Sequence, residues 1–140
     1  GFANPYLGTW TFTGAIDYDS SSFGQVNATG NGTATIESLN YNLTGNVTMS
    51  FEADYEDESG NPLHSEMTTT INNVSFDFDN LVMTIDATVD DPTGSGNTYD
   101  VRLRGALRTD GNAVYAEVPS GDIYLLNPER KIGTWSGSKE

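Results

Sequence analysis

The sequence predicts an all-β fold, a single eight-stranded antiparallel up-and-down barrel, and three observations carry that prediction. Apolar and polar residues alternate with a period of two over most of the chain. Turn-forming residues separate the alternating runs at hairpin spacing. No stretch of ten or more residues carries a helical apolar stripe. A two-sheet β-sandwich is the competing architecture.

The first run is the clearest. From Gly8 to Tyr18 the even positions are Trp10, Phe12, Gly14, Ile16 and Tyr18, and the odd ones are Thr9, Thr11, Thr13, Ala15 and Asp17. Only a half-buried strand puts such a set on one face. Alternation returns from Tyr41 to Tyr55, with Tyr41, Leu43, Val47, Met49, Phe51 and Ala53 interleaved with polar residues. It continues from Leu63 through Met67 to Ile71 and changes phase at Asn72-Asn73 before Val74, Phe76 and Phe78. A β-bulge at the Asn pair accounts for the phase change. Runs over 81–89 and 98–108 follow, and weaker strands are expected at about 33–39, 113–118 and 132–138. Breakers fall at 20–24, 29–32, 56–62, 79–80, 91–97 and 110–112, and a single helical turn is expected within 120–127.

With 140 residues the chain makes one domain, 1–140. Twenty acids against six bases give a net charge of -14, so nucleic acid and anionic membrane surfaces are repelled at long range. No apolar run approaches the roughly 20 residues of a membrane-spanning helix. The absence of cysteine removes disulfides, thiolate nucleophiles and Cys-ligated metals. All six bases fall in 102–140, while 1–101 holds fifteen acids and no base. That front half suits a high-salt habitat, collection of divalent cations, or plain solubility of a secreted protein. The start at Gly1, with no basic and apolar leader, suits a mature secreted product or a tag remnant.

An antiparallel meander removes its exposed edges by pairing its first and last strands. Here those strands open alike, with Leu7-Gly8-Thr9-Trp10 and Ile132-Gly133-Thr134-Trp135. At Gly8-Thr9-Trp10 the chain resembles the calycin superfamily, the lipocalin-like β-barrels, whose first strand carries a Gly-X-Trp motif. The resemblance implies a Trp10 packed across the closed barrel end and a basic residue of the last strand, Arg130 or Lys131, set against it. The chain departs from that family in lacking a Thr-Asp-Tyr-like middle motif, a disulfide, a long helix near the end, and the later Trp residues of avidin-like barrels.

An eight-stranded barrel is either filled by its side chains or holds one small ligand. The face expected inside carries Phe12, Tyr18, Tyr41, Met49, Phe51, Met67, Phe78, Met83 and Tyr99 as candidate ligand-binding residues. Met and aromatic side chains suit an adaptable apolar pocket, and they equally suit a plain core. The loops at 19–24 and 56–62 are expected to rim its mouth.

Asp54, Glu56, Asp57 and Glu58 are calcium candidates by the density of their hard oxygens, without EF-hand spacing; a solvated acidic turn is the alternative. Asp90, Asp91 and Asp100 flank a second, Gly-rich turn. Sequons mark Asn27, Asn31, Asn42, Asn46 and Asn73 as glycosylation candidates. A hairpin pairing Asp90 with Thr98 sets Asp86 opposite Arg102, an ordinary cross-strand ion pair. His64 beside Glu66, and the pair Asp77 and Asp79, are the nearest things to acid–base groups, and no nucleophile, phosphate loop or metal triad accompanies them.

Three functions are therefore open. The first is a non-enzymatic secreted or cell-surface barrel binding a small apolar molecule and needing no cofactor. The second is a structural or adhesive subunit of an extracellular assembly, with like subunits as partners. The third is a barrel enzyme such as an isomerase or cyclase, for which no acid, base or nucleophile stands out.

Overall fold

The computed structural model describes residues 5–20, 24–36, 47–56, 59–90 and 96–140, with side chains in all of these except 18–20, 24–28, 47–56 and 65–68. Ten strands cover the described residues: β1 (Gly8–Ser20), β2 (Gly24–Ile36), β3 (Val47–Glu56), β4 (Pro62–Asp77), β5 (Val82–Asp90), β6 (Thr98–Ala106), β7 (Thr109–Asp110), β8 (Ala113–Val114), β9 (Glu117–Leu125) and β10 (Arg130–Lys139). The architecture is all-β: a curled antiparallel sheet, with β7 and β8 as a small separate hairpin. Its ladders run β1-β10-β9-β6-β5-β4-β3-β2, and β1 pairs with β2 as well as with β10. Among the described residues β2 meets β3 over four rungs, from Val26↔Tyr55 to Thr29↔Glu52.

Where side chains are described, the alternation decides which face is buried. On β5, Met83, Ile85 and Ala87 are buried while their neighbours are not, and on β6 Val101 and Leu103 do the same. The phase change at the Asn pair is a register shift between Ile71 and Asn73 opposite β5, so both Ile71 and Val74 face the core. The β5–β6 hairpin has Asp90 across from Thr98 and Asp86 across from Arg102, as its turn predicts. Arg102 Nε donates to Asp86 Oδ1 at 2.7 Å, and Asp86 holds the guanidinium pKa above its ordinary value.

Two segments differ from expectation. Residues 29–32 are not a turn but the middle of β2, with Gly30 and Gly32 facing inward and Thr29 and Asn31 outward. Residues 120–125 are not helical but belong to β9, with Gly121 and Ile123 buried. In both places an inward glycine removes the apolar beat that marks a strand. The reason at β9 is direct: a Cβ on Gly121 would collide with the Trp135 indole and would lie 2.9 Å from the Arg104 carbonyl oxygen. Pro119 sits where β9 and β10 slip register, between Trp135 and Gly137, so its missing N–H costs no ladder bond.

One end of the sheet is filled by aromatic rings. Trp10 is fully buried, and its indole Nε1 donates to the Tyr6 carbonyl at 2.9 Å. Ring contacts run from Phe78 to Phe76 (5.8 Å), to Trp10 (6.0 Å), to Phe12 (6.2 Å) and to Trp135 (5.9 Å). Tyr6 covers this end, 5.2 Å from Phe76 and 5.1 Å from Phe78, and burial pushes its phenol pKa up. The β4–β5 turn here is held by Asp77, whose carboxylate accepts the backbone N–H groups of Asp79 and Asn80 and the Asn80 side-chain amide. Those bonds, the side-chain amide first, lower the Asp77 pKa, so the paired-carboxylate reading of Asp77 and Asp79 gives way to a turn-capping role for Asp77.

Candidate functional site

Beyond the ring of Trp135 the interior is not filled. A cavity of about 40 Å³ lies between β1, β2, β4, β5, β6, β9 and β10. Phe12 and Trp135 line it on the side of the packed end, Ile85, Ala87, Val101, Leu103 and Ile123 wall it, and Ile16 and Val89 lie toward the end where β1 and β5 finish.

Its existence follows from small residues placed together. Gly14 of β1 pairs with Gly30 of β2, and both line the space. Two adjacent strands therefore present no side chain to the interior at the same level, and Ala87 on the far wall adds little volume. A Cβ on Gly14 would reach Ile123 Cδ1 only at 3.4 Å, an ordinary contact. The glycines around Trp135 behave differently, since a Cβ on Gly137 would press on the Phe12 ring at 2.7 Å. Near the packed end glycine admits large rings; in the middle of the sheet it leaves space.

Among the described residues the cavity lining contains no charged side chain. On β4, Thr69 belongs to this lining; it is 1% exposed and its Oγ1 has no hydrogen-bond partner. The Trp135 Nε1 is also unpartnered, but it is turned onto the backbone of Gly121. The charged groups lie outside the cavity lining: Arg102 on Asp86, Arg108 on Glu117 at 2.9 Å, and Lys131 on Asp122 at 2.9 Å. Lys131 lowers the Asp122 pKa, chiefly through its hydrogen bond, and Asp122 raises that of Lys131.

The sequence-based candidates scatter against this site. Phe12 lines the cavity, and Met83 is fully buried without lining it. Phe78 falls in the β4–β5 turn, half exposed, stacked on Phe76 rather than pointing into the interior. Tyr99, across from Val89 at the end of β6, is 38% exposed and outside the lining. In both cases the alternation continues one step past the point where the sheet can cover the side chain. Tyr18, Met49, Phe51 and Met67 lie on strands but their side chains are outside the described residues, and Tyr41 is outside them altogether. Thr69, Gly14, Gly30 and Trp135 were not singled out; the only signal for them was small or polar residues at inward positions, which read as weak strand.

Other candidates resolve as follows. The basic partner of Trp10 is misplaced in the family resemblance: antiparallel pairing sets Lys139 across from Trp10, while Arg130 and Lys131 lie at the opposite end of β10, across from Leu125 and Tyr124. The side chains of the calcium candidates Asp54 and Glu56, and Asp57 and Glu58 entirely, lie outside the described residues. Among the described residues no three His, Asp or Glu converge in a way that suits a metal ion. Asp100 accepts a hydrogen bond from Thr88 Oγ1 at 3.2 Å. Of the sequons, Asn31 is exposed on the outer face of β2, Asn73 is half-buried at the β4 bulge with an unpartnered Oδ1, and Asn27, Asn42 and Asn46 have no described side chain. His64 is exposed on β4 across from Asp54. No helix among the described residues is long and apolar enough to cross a membrane.

Comparison of the chain with protein-family models, with characterised proteins and with solved structures finds no match.

Proposed function

We propose that the curled sheet is one eight-stranded, lipocalin-like barrel that binds a small apolar molecule in its interior, without catalysis and without a cofactor. The observation that carries this reading is an apolar cavity of about 40 Å³ between the strands, whose lining among the described residues holds no charged side chain. The barrel over the sandwich is supported by the ladder order, in which β1 has neighbours on both sides and no long strand among the described residues is left as a free edge. A binding role over an enzyme is supported by what the nearest acid–base groups do: Asp77 caps a turn and His64 stands exposed on the surface. A secreted or cell-surface setting rests on the acidic composition and the sequons.

The test is calorimetric titration with benzene, a neutral apolar probe suited to a small space. Wild type is expected to saturate at one site with a Kd of about 1–100 μM. Gly14→Val, which fills the wall where a Cβ meets nothing closer than 3.4 Å, is expected to abolish binding while keeping the unfolding midpoint. No saturable signal, or an unchanged Kd in Gly14→Val, overturns the reading.

A further inference from the structure

We infer that Pro5-Tyr6-Leu7 is a strap hinged at Gly8, and that the slot it fills at the packed end is a second site, which takes an aromatic residue of a peptide when the strap swings out. The inference concerns the packed end and does not rest on the cavity reading above.

The strap is held as a ligand is held. The Tyr6 ring lies 5.2 Å from Phe76 and 5.1 Å from Phe78, and the Tyr6 carbonyl accepts the Trp10 indole N–H at 2.9 Å. An apolar ring beside a backbone acceptor is what an aromatic residue in any peptide presents. The walls of the slot keep their form through contacts that do not involve the strap. Phe76 and Phe78 stack on each other with 9° between their planes, Trp10 adjoins Phe76, and Asp77 fixes the turn that carries Phe78. A slot already shaped for its occupant binds without the cost of ordering its own side chains.

The hinge follows from Gly8. Its φ is +128°, which residues with a side chain rarely adopt, and a Cβ there would press on the Lys139 side chain at 2.8 Å. One residue further on, β1 is clamped: Thr9 pairs with Thr35 of β2, and its carbonyl accepts the Glu140 N–H at 3.0 Å. A firm sheet thus begins beside the freest backbone unit in the segment, so turning at Gly8 carries residues 5–7 away and leaves the ladders from Thr9 onward intact. Burial of the Tyr6 ring keeps the strap closed in the free protein. Phe78 is half exposed even then, which gives an incoming ring its first contact. A peptide aromatic residue that replaces the Tyr6 contacts shifts the population to the open form.

The experiment follows the Trp10 indole N–H signal by NMR. In wild type this proton is expected to exchange with solvent at least about tenfold faster than the backbone N–H of Ile85 in the core, because the strap opens without global unfolding. Titration with N-acetyltyrosinamide is expected to shift the signal in Tyr6→Ala with a Kd of about 1–10 mM, and in wild type at least about tenfold more weakly, since the strap competes. N-acetylalaninamide, which has the carbonyl and no ring, is expected to leave the signal unmoved. If Tyr6→Ala does not fold, Gly8→Ala replaces it: a methyl there strains the closed strap, so binding is expected to be tighter than in wild type. Indole exchange no faster than that of Ile85 overturns the inference, because the strap then opens only with the whole fold. Equal binding to wild type and variant, no binding to a folded variant, or an equal shift with N-acetylalaninamide overturns it as well.

Discussion

The molecule contains the same tripeptide, Gly-Thr-Trp, in its first and last long strands, and the two tryptophans sit in opposite kinds of surroundings. Trp10 is fully buried in a run of aromatic rings and its N–H reaches the Tyr6 carbonyl. Trp135 is buried to 3% exposure, but one side of it borders the cavity and its N–H has no partner. The difference lies in the neighbours. Around Trp10 lie Phe12 and Phe76, whereas beyond Trp135 the inward positions include Gly14, Gly30, Thr69 and Ala87. A single sheet thus divides its work: large side chains at one end supply burial, and small ones in the middle leave room. Space inside a curled sheet is set by the residues that are small, which is why the aromatic inventory alone does not locate it.

The strongest way to break this contrast is to empty the packed end. Trp10→Ala is expected to lower unfolding stability by about 3–5 kcal/mol, read by urea denaturation, because a fully buried indole leaves a cavity its neighbours cannot refill. A loss under about 1 kcal/mol would mean that the aromatic run is not what holds the fold.

A matched pair of substitutions sharpens the contrast. Gly121→Ala drives a methyl into the Trp135 indole and toward the Arg104 carbonyl, and is expected to cost about 1–3 kcal/mol. Gly14→Ala places the same methyl in ordinary contact with Ile123 and is expected to be neutral or to stabilise by up to about 1 kcal/mol, since it lowers the entropy of the unfolded chain. Equal effects at the two positions would erase the distinction between the filled and the hollow halves.

The smallest effect concerns the turn that closes the packed end. Asp77 has its pKa lowered below its ordinary value of 3.8 by the Asn80 and Asp79 hydrogen bonds. A depressed carboxylate contributes stability that is present above its unfolded value and is lost as pH falls through its folded one. Asp77→Asn keeps an acceptor but removes the charge, so it is expected to be less stable than wild type at neutral pH and to converge with it as pH is lowered below 3.8. Parallel pH profiles would show that the turn does not depend on the ionised form.

Much of the fold was legible because alternation leaves a trace wherever the inward residue is large. Trp10, Phe12, Met83, Ile85, Val101 and Leu103 all sit where their parity puts them. The Asn72-Asn73 phase change and the Asp86–Arg102 pair were readable for the same reason, since a register is a counting rule. The candidate site was much less legible. Phe12 was found, but Phe78 and Tyr99 were placed inside when they stand at the ends, because parity says which face a residue takes and not how far the sheet covers it.

The order of the chain by itself determined that this protein is built of antiparallel strands with one oily face, since neighbouring side chains on a strand must point to opposite sides. Only the tertiary arrangement decided where that face is full and where it is hollow. Gly14 and Gly30 are sixteen positions apart and meet through the β1–β2 register; Thr69 and Trp135 come to the same space from strands that do not touch. Each of those residues reads locally as a weak position in a strand, and a cavity is a property of several strands at one height, which no single strand records.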